Sequence, residues 1–399
     1  MSSLLPLEQA QARLLALVDP LPAETLPAGD AVGRYLAEPM LARRTQPAAD
    51  LSAMDGYAVG ADDQAGPWEV VGESAAGHPF AGSLEAGHAA RISTGALMPQ
   101  GSGAVLLQEN ASREGDRLAL ANADGPTARH IRRAGFDFAE GDMLLPSGTK
   151  IGPAQLALAL SAGHASLPVH TLPTLAVIDS GDELSADPSA CALHQIPASN
   201  GPALAALAAP FAGKITRIGP VADQLDAVVA ALEQAGDADV IVTSGGASVG
   251  DHDLIKPALE AWGASLDFWR VAIRPGKPVM VARRGKTTVL GLPGNPVSSY
   301  VTAVLFLLPL LRRLAGSSSP IAQPLLVPLA GALPAGGSRT EFVRASLRDG
   351  RVVPIPERDS SALRAMAGAG ALIRRDIDAP AATTGDLVPV YPIQNGGIA

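Results

Sequence analysis

The most regular hydrophobic pattern lies in the second half of the chain, where short apolar runs alternate with longer amphipathic segments. From Thr174 it predicts, in order, the strand TLAVID, the helix PALAALAAPFAG, the strand KITRIG, the helix ADQLDAVVAALEQAG, the strand DVIVT and the helix DLIKPALEAWG. The runs PVMVA and TTVLGL and a helix from Val297 to Ala315 complete the series. Strands that alternate with helices over short links are typical of a parallel sheet covered on both faces. Residues 173–317 are therefore predicted to form a three-layer α/β domain.

The pattern changes twice before this region. Apolar residues from Leu7 to Val18 recur on one helical face, which predicts a first helix that nearby prolines end. From about residue 27 to 140 the chain shows short apolar runs separated by Gly, Pro and Asp-Gly, which predicts a β-rich domain. Residues 141–172 are predicted to return to helix, because GPAQLALALSAG has Pro near its start and Gly after its end.

The last part of the chain predicts a small β domain. After the linker GSSSP, the segment EFVRASLRDGRVVPIP predicts a hairpin around Asp349-Gly350, since this dipeptide suits the positive φ angles of a tight turn. ALIRRD and LVPVYPI predict further strands. The predicted units are a helical domain from residues 1–26 and 141–172, a β-rich domain of residues 27–140, the α/β domain of residues 173–317 and a C-terminal β domain of residues 318–399.

Composition narrows the classes of function. A net charge of −9 excludes a nucleic-acid-binding protein, whose footprint is a clustered basic surface, so any anionic ligand has to meet local cations. The single cysteine, Cys191, excludes an internal disulfide and fits a reducing cytosol. The N-terminus lacks the basic region of a signal peptide, and the apolar stretch from Val301 is too short to span a bilayer. We expect a cytoplasmic protein without membrane contact.

One short loop matches a hydrolase motif. In TSGGASVGDHD, residues 243–253, the segment Gly246–Gly250 spells the G-x-S-x-G of a serine nucleophile elbow, with Ser248 at its centre. That chemistry requires an acid and then a histidine later in the chain. Only His252 follows Ser248, and it is too near to arrive from a separate loop. The residue inventory therefore excludes a catalytic triad.

The same loop also suits an anion. Gly245, Gly246 and Gly250 let the backbone come close to a ligand, and a helix that begins after a strand offers N–H groups and a favourable dipole. An ordinary strand-to-helix turn has the same glycines, so the loop alone does not decide between the two interpretations. Its neighbours favour the anion site: the cations Arg270, Arg274 and Lys277 follow, and GLPGNPVSS adds a second rigid loop with Pro293, Gly294, Asn295 and Pro296.

Carboxylates also collect at the predicted strand ends. DSGDEL ends one strand with Asp182 and Glu183, Asp223 begins the helix after KITRIG, and Asp251 and Asp253 precede the next helix. Oxygen ligands beside cations that hold phosphate suggest a divalent cation such as Mg²⁺. The alternative interpretation of the four aspartates, Asp182, Asp223, Asp251 and Asp253, is that they are helix caps.

Six motifs in order resemble one family. They are SAMDGYA (52–58), RISTGALMPQGSGAVLLQE (91–109), SGDEL, TSGGASVGDHD, RPGKP and GLPGNPVS. Together they resemble the molybdopterin molybdenumtransferases, which insert molybdate into the molybdenum cofactor. The resemblance implies an elongated homodimer with a helical dimerisation domain and a C-terminal β-barrel. It also implies a cleft between the β-rich domain of one subunit and the α/β and C-terminal domains of the other. The substrates implied are adenylylated molybdopterin and molybdate, with Mg²⁺-dependent release of AMP and with the molybdopterin adenylyltransferase as a possible partner.

The resemblance assigns roles to individual residues. It places functional groups of the β-rich domain at Asp55, Thr94 and Asp137, and acidic groups, which are candidate Mg²⁺ ligands, at Glu183, Asp223 and Asp253. It places anion-binding groups at Ser248, Arg274, Lys277, Arg344 and either Ser360 or Ser361. From the residues alone, Asp55 also fits a plain Asp-Gly turn and Thr94 a β-turn position.

The chain departs from the family pattern at three places. Arg270 and Arg274 stand where lysines are common, HQIPASN replaces the more usual GQIYDSN, and Ala362 follows the tail serines where some relatives have arginine. Two other functions remain as alternatives: a molybdopterin adenylyltransferase, which would release pyrophosphate from ATP, and a non-catalytic molybdopterin-binding scaffold. Retention of the carboxylates argues against a scaffold, because buried charges are costly unless they are paired.

Overall fold

The computed structural model describes residues 4–245 and 254–393. Its helices are α1 Leu7–Ala16, α2 Pro153–Ser161, α3 Asn200–Ala208, α4 Leu225–Gln234, α5 Ile255–Ala261, α6 Pro296–Thr302, α7 Leu308–Leu314 and α8 Leu363–Ala367. A π-helical segment, Ala303–Leu307, joins α6 to α7.

The strands before the α/β region are β1 Ala23–Pro27, β2 Met40–Leu41, β3 Leu51–Ser52, β4 Gly56–Val59, β5 Trp68–Ser74, β6 His88–Ile92, β7 Ala104–Leu107, β8 Ala111–Glu114, β9 Arg117–Leu120, β10 Ile131–Arg132, β11 Met143–Leu145 and β12 Ser166–His170. Six of them form one sheet in the order β7-β4-β6-β5-β9-β8, which agrees with the predicted β-rich region.

The prediction that residues 141–172 are helical is wrong outside α2. Strand β11 pairs with β2, and β12 pairs with β1 over five residues, from Ser166 opposite Pro27 to His170 opposite Ala23. The alternation of buried Leu167 and Val169 with less buried neighbours is a strand pattern of period two. The helix signal at Pro153 is correct for α2 alone, and Pro168 fits a strand at the edge of a sheet.

The α/β region contains β13 Thr174–Ser180, β14 Leu184–Ser185, β15 Ile196–Pro197, β16 Lys214–Val221, β17 Val240–Ser244, β18 Ser265–Arg270, β19 Ile273–Arg274, β20 Pro278–Arg284 and β21 Thr287–Leu292. Its main sheet has the order β16-β13-β17-β21-β20-β18. The first four strands are parallel, as predicted.

The prediction of a wholly parallel sheet is wrong at one edge. Strand β20 is antiparallel to both β21 and β18. Arg284 pairs directly with Thr287, so Gly285 and Lys286 form a tight hairpin turn between β20 and β21. A connection this short permits only antiparallel neighbours.

Both faces of this sheet are buried. Leu175 and Val177 of β13 belong to one hydrophobic cluster, whereas Ala176 and Ile178 belong to another on the opposite face. Helices α3, α6 and α7 supply side chains to the first cluster, and α4 and α5 supply the second. This double burial explains why the central strands are nearly continuous apolar runs.

Helix α1 packs against the α/β region. Leu7, Ala10 and Leu14 are buried in its first cluster, and Gln11 Nε2 donates a 2.8 Å hydrogen bond to the carbonyl oxygen of Leu305. The amphipathic first helix is thereby confirmed. Its partner is the helix that follows β21, while the chain after α1 pairs with β12.

The helix from Pro296 to Leu314 is long and apolar enough to cross a membrane by length and composition, with a mean hydropathy of 1.4 over its most apolar window. Inside the protein 78% of that window is buried. The helix is therefore covered by the core, in agreement with the predicted buried helix.

The C-terminal strands are β22 Leu325–Pro328, β23 Thr340–Arg348, β24 Arg351–Pro354, β25 Ala371–Arg375 and β26 Leu387–Pro392. The sheet runs β19-β23-β25-β26-β22, and β24 pairs with β23. The predicted hairpin is confirmed: Arg348 pairs with Arg351, and Asp349 and Gly350 have φ angles of 49° and 70°. Strand β19 belongs to this sheet although it lies between β18 and β20 of the α/β sheet, so the two regions share backbone pairing.

Candidate functional site

The parallel strands of the α/β sheet all end at one edge, which we call the carboxyl edge. Asp182 and Glu183 follow β13, Asp223 follows β16, Gly245 follows β17, and Pro293, Gly294, Asn295 and Pro296 follow β21. Arg270 ends β18 opposite Pro278, so Lys277 lies at this edge as well. Ligands of open α/β sheets bind outside the carboxyl ends of the strands. The described part of the predicted anion site is thus gathered where such sites occur.

Asn200 joins two loops of this edge. It begins α3, and its side-chain Nδ2 donates to Ser244 Oγ at 2.9 Å and to the Gly294 carbonyl oxygen at 2.7 Å. These bonds fix the ends of β17 and β21 relative to each other. Asn200 is one of the residues that HQIPASN shares with the usual GQIYDSN, and its hydrogen bonds position the two loops.

The glycine after β17 is required by close packing. Gly245 has a φ of +104°, and a Cβ at this position would lie 2.4 Å from the Ser180 carbonyl oxygen. Only glycine adopts this backbone angle without strain, and only glycine leaves room for the ends of β13 and β17 to meet. The remainder of the predicted loop, with Gly246, Ser248, Gly250 and Asp253, lies outside the described residues.

Two of the predicted Mg²⁺ ligands, Glu183 and Asp223, lie at the carboxyl edge. Glu183 and Asp223 are exposed, and the Asp223 amide donates to Asp182 Oδ1 at 3.0 Å. Within residues 4–245 and 254–393, no group of three His, Cys, Asp or Glu side chains is close enough to hold a metal. The described part of the predicted Mg²⁺ set therefore consists of two exposed carboxylates at the ends of neighbouring strands. Their hard oxygen atoms are of the kind that Mg²⁺ prefers.

A buried carboxylate lies beneath this edge. Asp179 is 8% exposed, and its Oδ2 accepts a 3.0 Å hydrogen bond from the amide of Gly201, next to Asn200. Its Oδ1 is buried without a hydrogen-bond partner among the described residues. Burial raises the pKa of the Asp179 carboxyl from its ordinary value of 3.8 to about 6, although the Gly201 amide and the charge of Arg217 oppose the shift.

A cavity of about 760 Å³ opens between the α/β region and the C-terminal domain, and we call it the interdomain cavity. Its cationic lining residues are Arg274, Lys277, Arg339, Arg344 and Arg358, and its acidic ones are Glu341, Glu357 and Asp359. Cations exceed acids in this cavity although the whole chain carries a net charge of −9. An excess of positive charge in a concave site attracts anions.

The two cations predicted from RPGKP enter this cavity on one short loop. Gly276 has a φ of +97°, and a Cβ there would lie 2.3 Å from Thr302 Cγ2, so the loop packs tightly against α6. Arg274 Nη1 lies 3.2 Å from Glu341 Oε1, and their backbones pair in register between β19 and β23. Lys277 is exposed and forms no ion pair with any described residue.

Arg344 lines the cavity, but its guanidinium is hydrogen-bonded to backbone carbonyl oxygen atoms. Its Nη2 donates to the carbonyl oxygens of Glu357 at 2.6 Å and Asp359 at 3.0 Å, and its Nη1 donates to that of Ala362 at 3.2 Å. The residue is 5% exposed, and burial lowers the pKa of its guanidinium. The prediction that Arg344 belongs to this region holds in position, while its contacts are with the loop of residues 357–362.

That loop separates the two candidate serines. Ser360 lines the interdomain cavity, and its carbonyl oxygen accepts a 3.0 Å bond from the amide of Val297 at the start of α6. The hydroxyl of Ser361 donates to Asp359 Oδ1 at 2.7 Å. Ser360 is therefore the serine that faces the cavity.

A second group of predicted residues lies in the β-rich domain. Asp55 Oδ1 accepts a 2.6 Å bond from the Thr94 amide and a 2.9 Å bond from the Thr94 hydroxyl, and these bonds hold the pKa of the Asp55 carboxyl below its usual value. Both residues are exposed. Asp137 is also exposed, and its amide donates to the Gln46 carbonyl oxygen at 3.0 Å. No hydrogen bond or ion pair of the described residues links Asp55, Thr94 or Asp137 to the α/β region.

Several residues of the carboxyl edge and the interdomain cavity were not singled out from the sequence, among them Asp179, Ser244, Ser298, Arg339 and Arg358. A charged residue inside the apolar run of β13 was a sign that pointed to Asp179. Arg339 and Arg358 carry no such sign, because they reach the cavity only through the pairing of the C-terminal sheet with β19.

This arrangement defines a class of protein: an α/β domain with polar and charged loops at its carboxyl edge, joined to further domains, one of which shares the cationic interdomain cavity. Comparison with known families identifies the parts. Residues 5–163 match the model described as MoeA N-terminal region (domain I and II), residues 176–313 match Probable molybdopterin binding domain, and residues 327–393 match MoeA C-terminal region (domain IV).

The chain is also similar over most of its length to individual proteins of one family. The chain is 34% identical over 318 residues to a molybdopterin molybdenumtransferase from Haemophilus influenzae, with 78% of each chain covered. It is 32% identical to molybdopterin molybdenumtransferase 2 of Mycobacterium tuberculosis, covering 92% of this chain and 95% of the relative. A solved molybdopterin biosynthesis moeA protein from Pyrococcus horikoshii OT3 superimposes with a TM-score of 0.84 at 26% identity, covering 98% of this chain and all of that one. The chain belongs to the molybdopterin molybdenumtransferase family.

Proposed function

We propose that this protein acts in molybdenum cofactor biosynthesis by inserting molybdenum from molybdate into adenylylated molybdopterin, with release of AMP. The observation that carries the proposal is the interdomain cavity, in which five cations face three acids within an acidic chain. Both substrates of this reaction, adenylylated molybdopterin and molybdate, are anions. A protein with a net negative charge has to bind them through a local excess of cations, which this cavity supplies.

The described residues have distinct tasks in this proposal. Lys277 and Arg274 supply positive charge to the oxyanion, and Ser360 offers a hydroxyl at the cavity wall. A guanidinium is planar and always charged, which suits the oxygen atoms of an oxyanion. Asn200 and Gly245 keep the loops after β17 and β21 close together, so that their backbone amides can face the phosphates of the substrate.

Mg²⁺ belongs to the proposal as a cofactor. Glu183 and Asp223 are the described residues that would hold it, with Asp253 as a third candidate ligand outside the described residues. When bound, Mg²⁺ neutralises negative charge on a pyrophosphate as its bond breaks. The exposure of Glu183 and Asp223 suits an ion that keeps several water ligands.

A homodimer would complete the site. Asp55 and Thr94 form a hydrogen-bonded pair on the surface of the β-rich domain, and no described hydrogen bond or ion pair joins them to the α/β region of their own chain. In the proposed dimer this pair faces the carboxyl edge of the partner subunit. We place the protein in the cytoplasm, with the molybdopterin adenylyltransferase as a partner that hands over the adenylylated substrate.

The finer architecture is part of the same proposal. Two buried faces support a three-layer α/β domain, and an isolated bridge between Leu329 and Val352, which joins the chain after β22 to β24, supports a C-terminal β-barrel. For the predicted dimerisation domain, the pairing of β1 with β12 supports a unit that joins the chain after α1 to residues 141–172. Helix α1 lies outside this unit, against the α/β core.

The test is release of AMP from purified adenylylated molybdopterin, with Mg²⁺ present and with molybdate present or absent. We expect molybdate-dependent release of AMP by the wild type and its loss in Asp253→Ala. Turnover of ATP with release of pyrophosphate would instead support the adenylyltransferase. Tight binding of molybdopterin without either reaction would support a scaffold.

A further inference from the structure

The loop of residues 357–362 brings one cation to the interdomain cavity without a partner. Arg358 lines the cavity and is exposed, and its side chain makes no hydrogen bond or ion pair with any described residue. The cavity contains four other cations, three of which are engaged with acceptors: Arg274 with Glu341, Arg344 with backbone carbonyls and Arg339 with the carbonyl oxygen of Ile273. Arg358 is thus available to an incoming anion.

The acids beside Arg358 are turned toward the backbone. Glu357 Oε1 accepts a 2.7 Å bond from the amide of Asp359, and Asp359 Oδ1 accepts 2.8 Å and 2.7 Å bonds from the amide and hydroxyl of Ser361. These bonds keep both carboxylates within the turn, where they support its geometry. The guanidinium of Arg358 therefore keeps its charge for the cavity.

The buried Arg344 holds the same loop through hydrogen bonds to its backbone. Its guanidinium spans the carbonyl oxygens of Glu357, Asp359 and Ala362, at the two ends and the middle of the turn. Burial is the main cause that lowers the pKa of Arg344, and the like charge of Arg358 lowers it further, so the two guanidinium groups are close enough to repel. An anion bound beside Arg358 would offset this repulsion between the two guanidinium groups.

We infer that Arg358 contacts the substrate oxyanion directly, and that Arg344 is a positioning residue that holds the loop carrying Arg358 and Ser360. The inference rests on the proposed function and sharpens it, because it assigns the direct contact to an exposed arginine of the loop. The buried arginine beneath the loop, which the family resemblance places in the anion site, acts through the loop.

The test is equilibrium binding of molybdate alone to the full-length protein, measured by calorimetry. We expect Arg358→Gln to weaken binding about 10-fold, the loss of about one charge-assisted hydrogen bond. Arg364→Gln is the matched control, because it removes the same charge from an exposed position on α8 that does not line the cavity. We expect the control to bind molybdate within about 2-fold of the wild type, since distant surface charges are screened.

Lysine substitutions separate direct contact from positioning. Arg358→Lys keeps a charge in the cavity and should recover most of the binding that Arg358→Gln loses. Arg344→Lys cannot span three carbonyl oxygens, so we expect no comparable recovery relative to Arg344→Gln. If the Arg344 variants do not fold, the two Arg358 variants and the control still decide the assignment of the direct contact.

The outcomes distinguish the inference from the proposed function. Wild-type protein that binds molybdate, together with Arg358→Gln that binds it as tightly as Arg364→Gln does, would overturn the inference alone. Wild-type protein that binds no molybdate would overturn the proposed function and the inference with it.

Discussion

The α/β sheet has a cavity beside each of its two edges, and the comparison shows that size does not identify the site. The interdomain cavity near the carboxyl edge measures about 760 Å³, and a cavity at the opposite edge, which we call the amino-edge cavity, measures about 860 Å³. Both contain several charged side chains. A search for the larger concave surface would choose the amino edge.

The charges of the amino-edge cavity are balanced. Its cations Lys214, Arg284 and Lys286 face an equal number of acids, Glu233, Asp237 and Asp239. Arg284 forms an ion pair with Glu233 at 3.4 Å and stacks on Trp262, and Asp239 accepts two 2.8 Å bonds from Thr174. Lys214 and Lys286 form no ion pair with a described residue, and the same is true of Lys277 and Arg358 in the interdomain cavity. The two cavities differ in their charge balance, because five cations face three acids in the interdomain cavity. Unbalanced charge, more than volume, marks the candidate site.

The largest effect is expected from a glycine-to-alanine substitution at the carboxyl edge, and the same substitution at the amino edge is its control. Gly245→Ala places a Cβ against the Ser180 carbonyl oxygen, so the loop after β17 has to move. We expect about a 100-fold loss of AMP release, because a displacement of about 1 Å in a positioned site costs that much. At the amino edge, Gly285 also has a positive φ, but nothing lies within 4 Å of its added Cβ. Gly285→Ala should therefore retain activity, and equal losses in both variants would remove the distinction between the edges.

A smaller effect is expected from removal of one lysine at each edge. Lys277→Gln takes an unpaired charge from the interdomain cavity, and we expect a roughly 10-fold rise in the molybdate concentration needed for half-maximal AMP release. Lys214→Gln removes the same charge from the amino-edge cavity and should leave that value unchanged. The comparison fails if Lys214→Gln has the larger effect.

The smallest effect concerns stability and pH at Asp179. Burial raises the pKa of this carboxyl to about 6, so the folded protein holds the proton more tightly than the unfolded chain does. Its contribution to stability is therefore greatest at low pH and declines as pH rises from about 4 through about 6. Asp179→Asn cannot ionise, so its stability relative to the wild type should increase over this range.

Thermal unfolding at about pH 5 and about pH 8 measures this difference. We expect the Tm of Asp179→Asn relative to the wild type to rise by at least about 2 °C between the two conditions. Asp187→Asn is the control, because hydrogen bonds from Ser189 lower the pKa of Asp187, which is then ionised throughout this range. A flat difference for Asp179→Asn would show that Asp179 ionises normally.

The sequence predicted the carboxyl edge well because its positions are local. Motifs such as DSGDEL and GLPGNPVSS follow apolar runs, and the ends of parallel strands meet at one edge whatever the rest of the fold does. The orientation of β20 was missed, although Gly285-Lys286 between two apolar runs was a hairpin signal of the same kind as Asp349-Gly350.

The interdomain cavity was beyond sequence reasoning for a physical reason. It forms where β19, within the α/β part of the chain, pairs with β23 of the C-terminal sheet. Arg274 and Glu341 meet through this pairing, and periodicity contains no information about it. The burial of Arg344 likewise depends on a loop that follows it in sequence and folds back over it.

The most direct test of the central claim is the position of a bound oxyanion. A crystal of the protein soaked in tungstate, whose metal scatters X-rays strongly, would locate the anion in an anomalous difference map. We predict a tungsten peak in the interdomain cavity within hydrogen-bonding reach of Lys277, Arg358 or Ser360. A peak at the amino-edge cavity beside Lys214 and Lys286, with none in the interdomain cavity, would contradict the account.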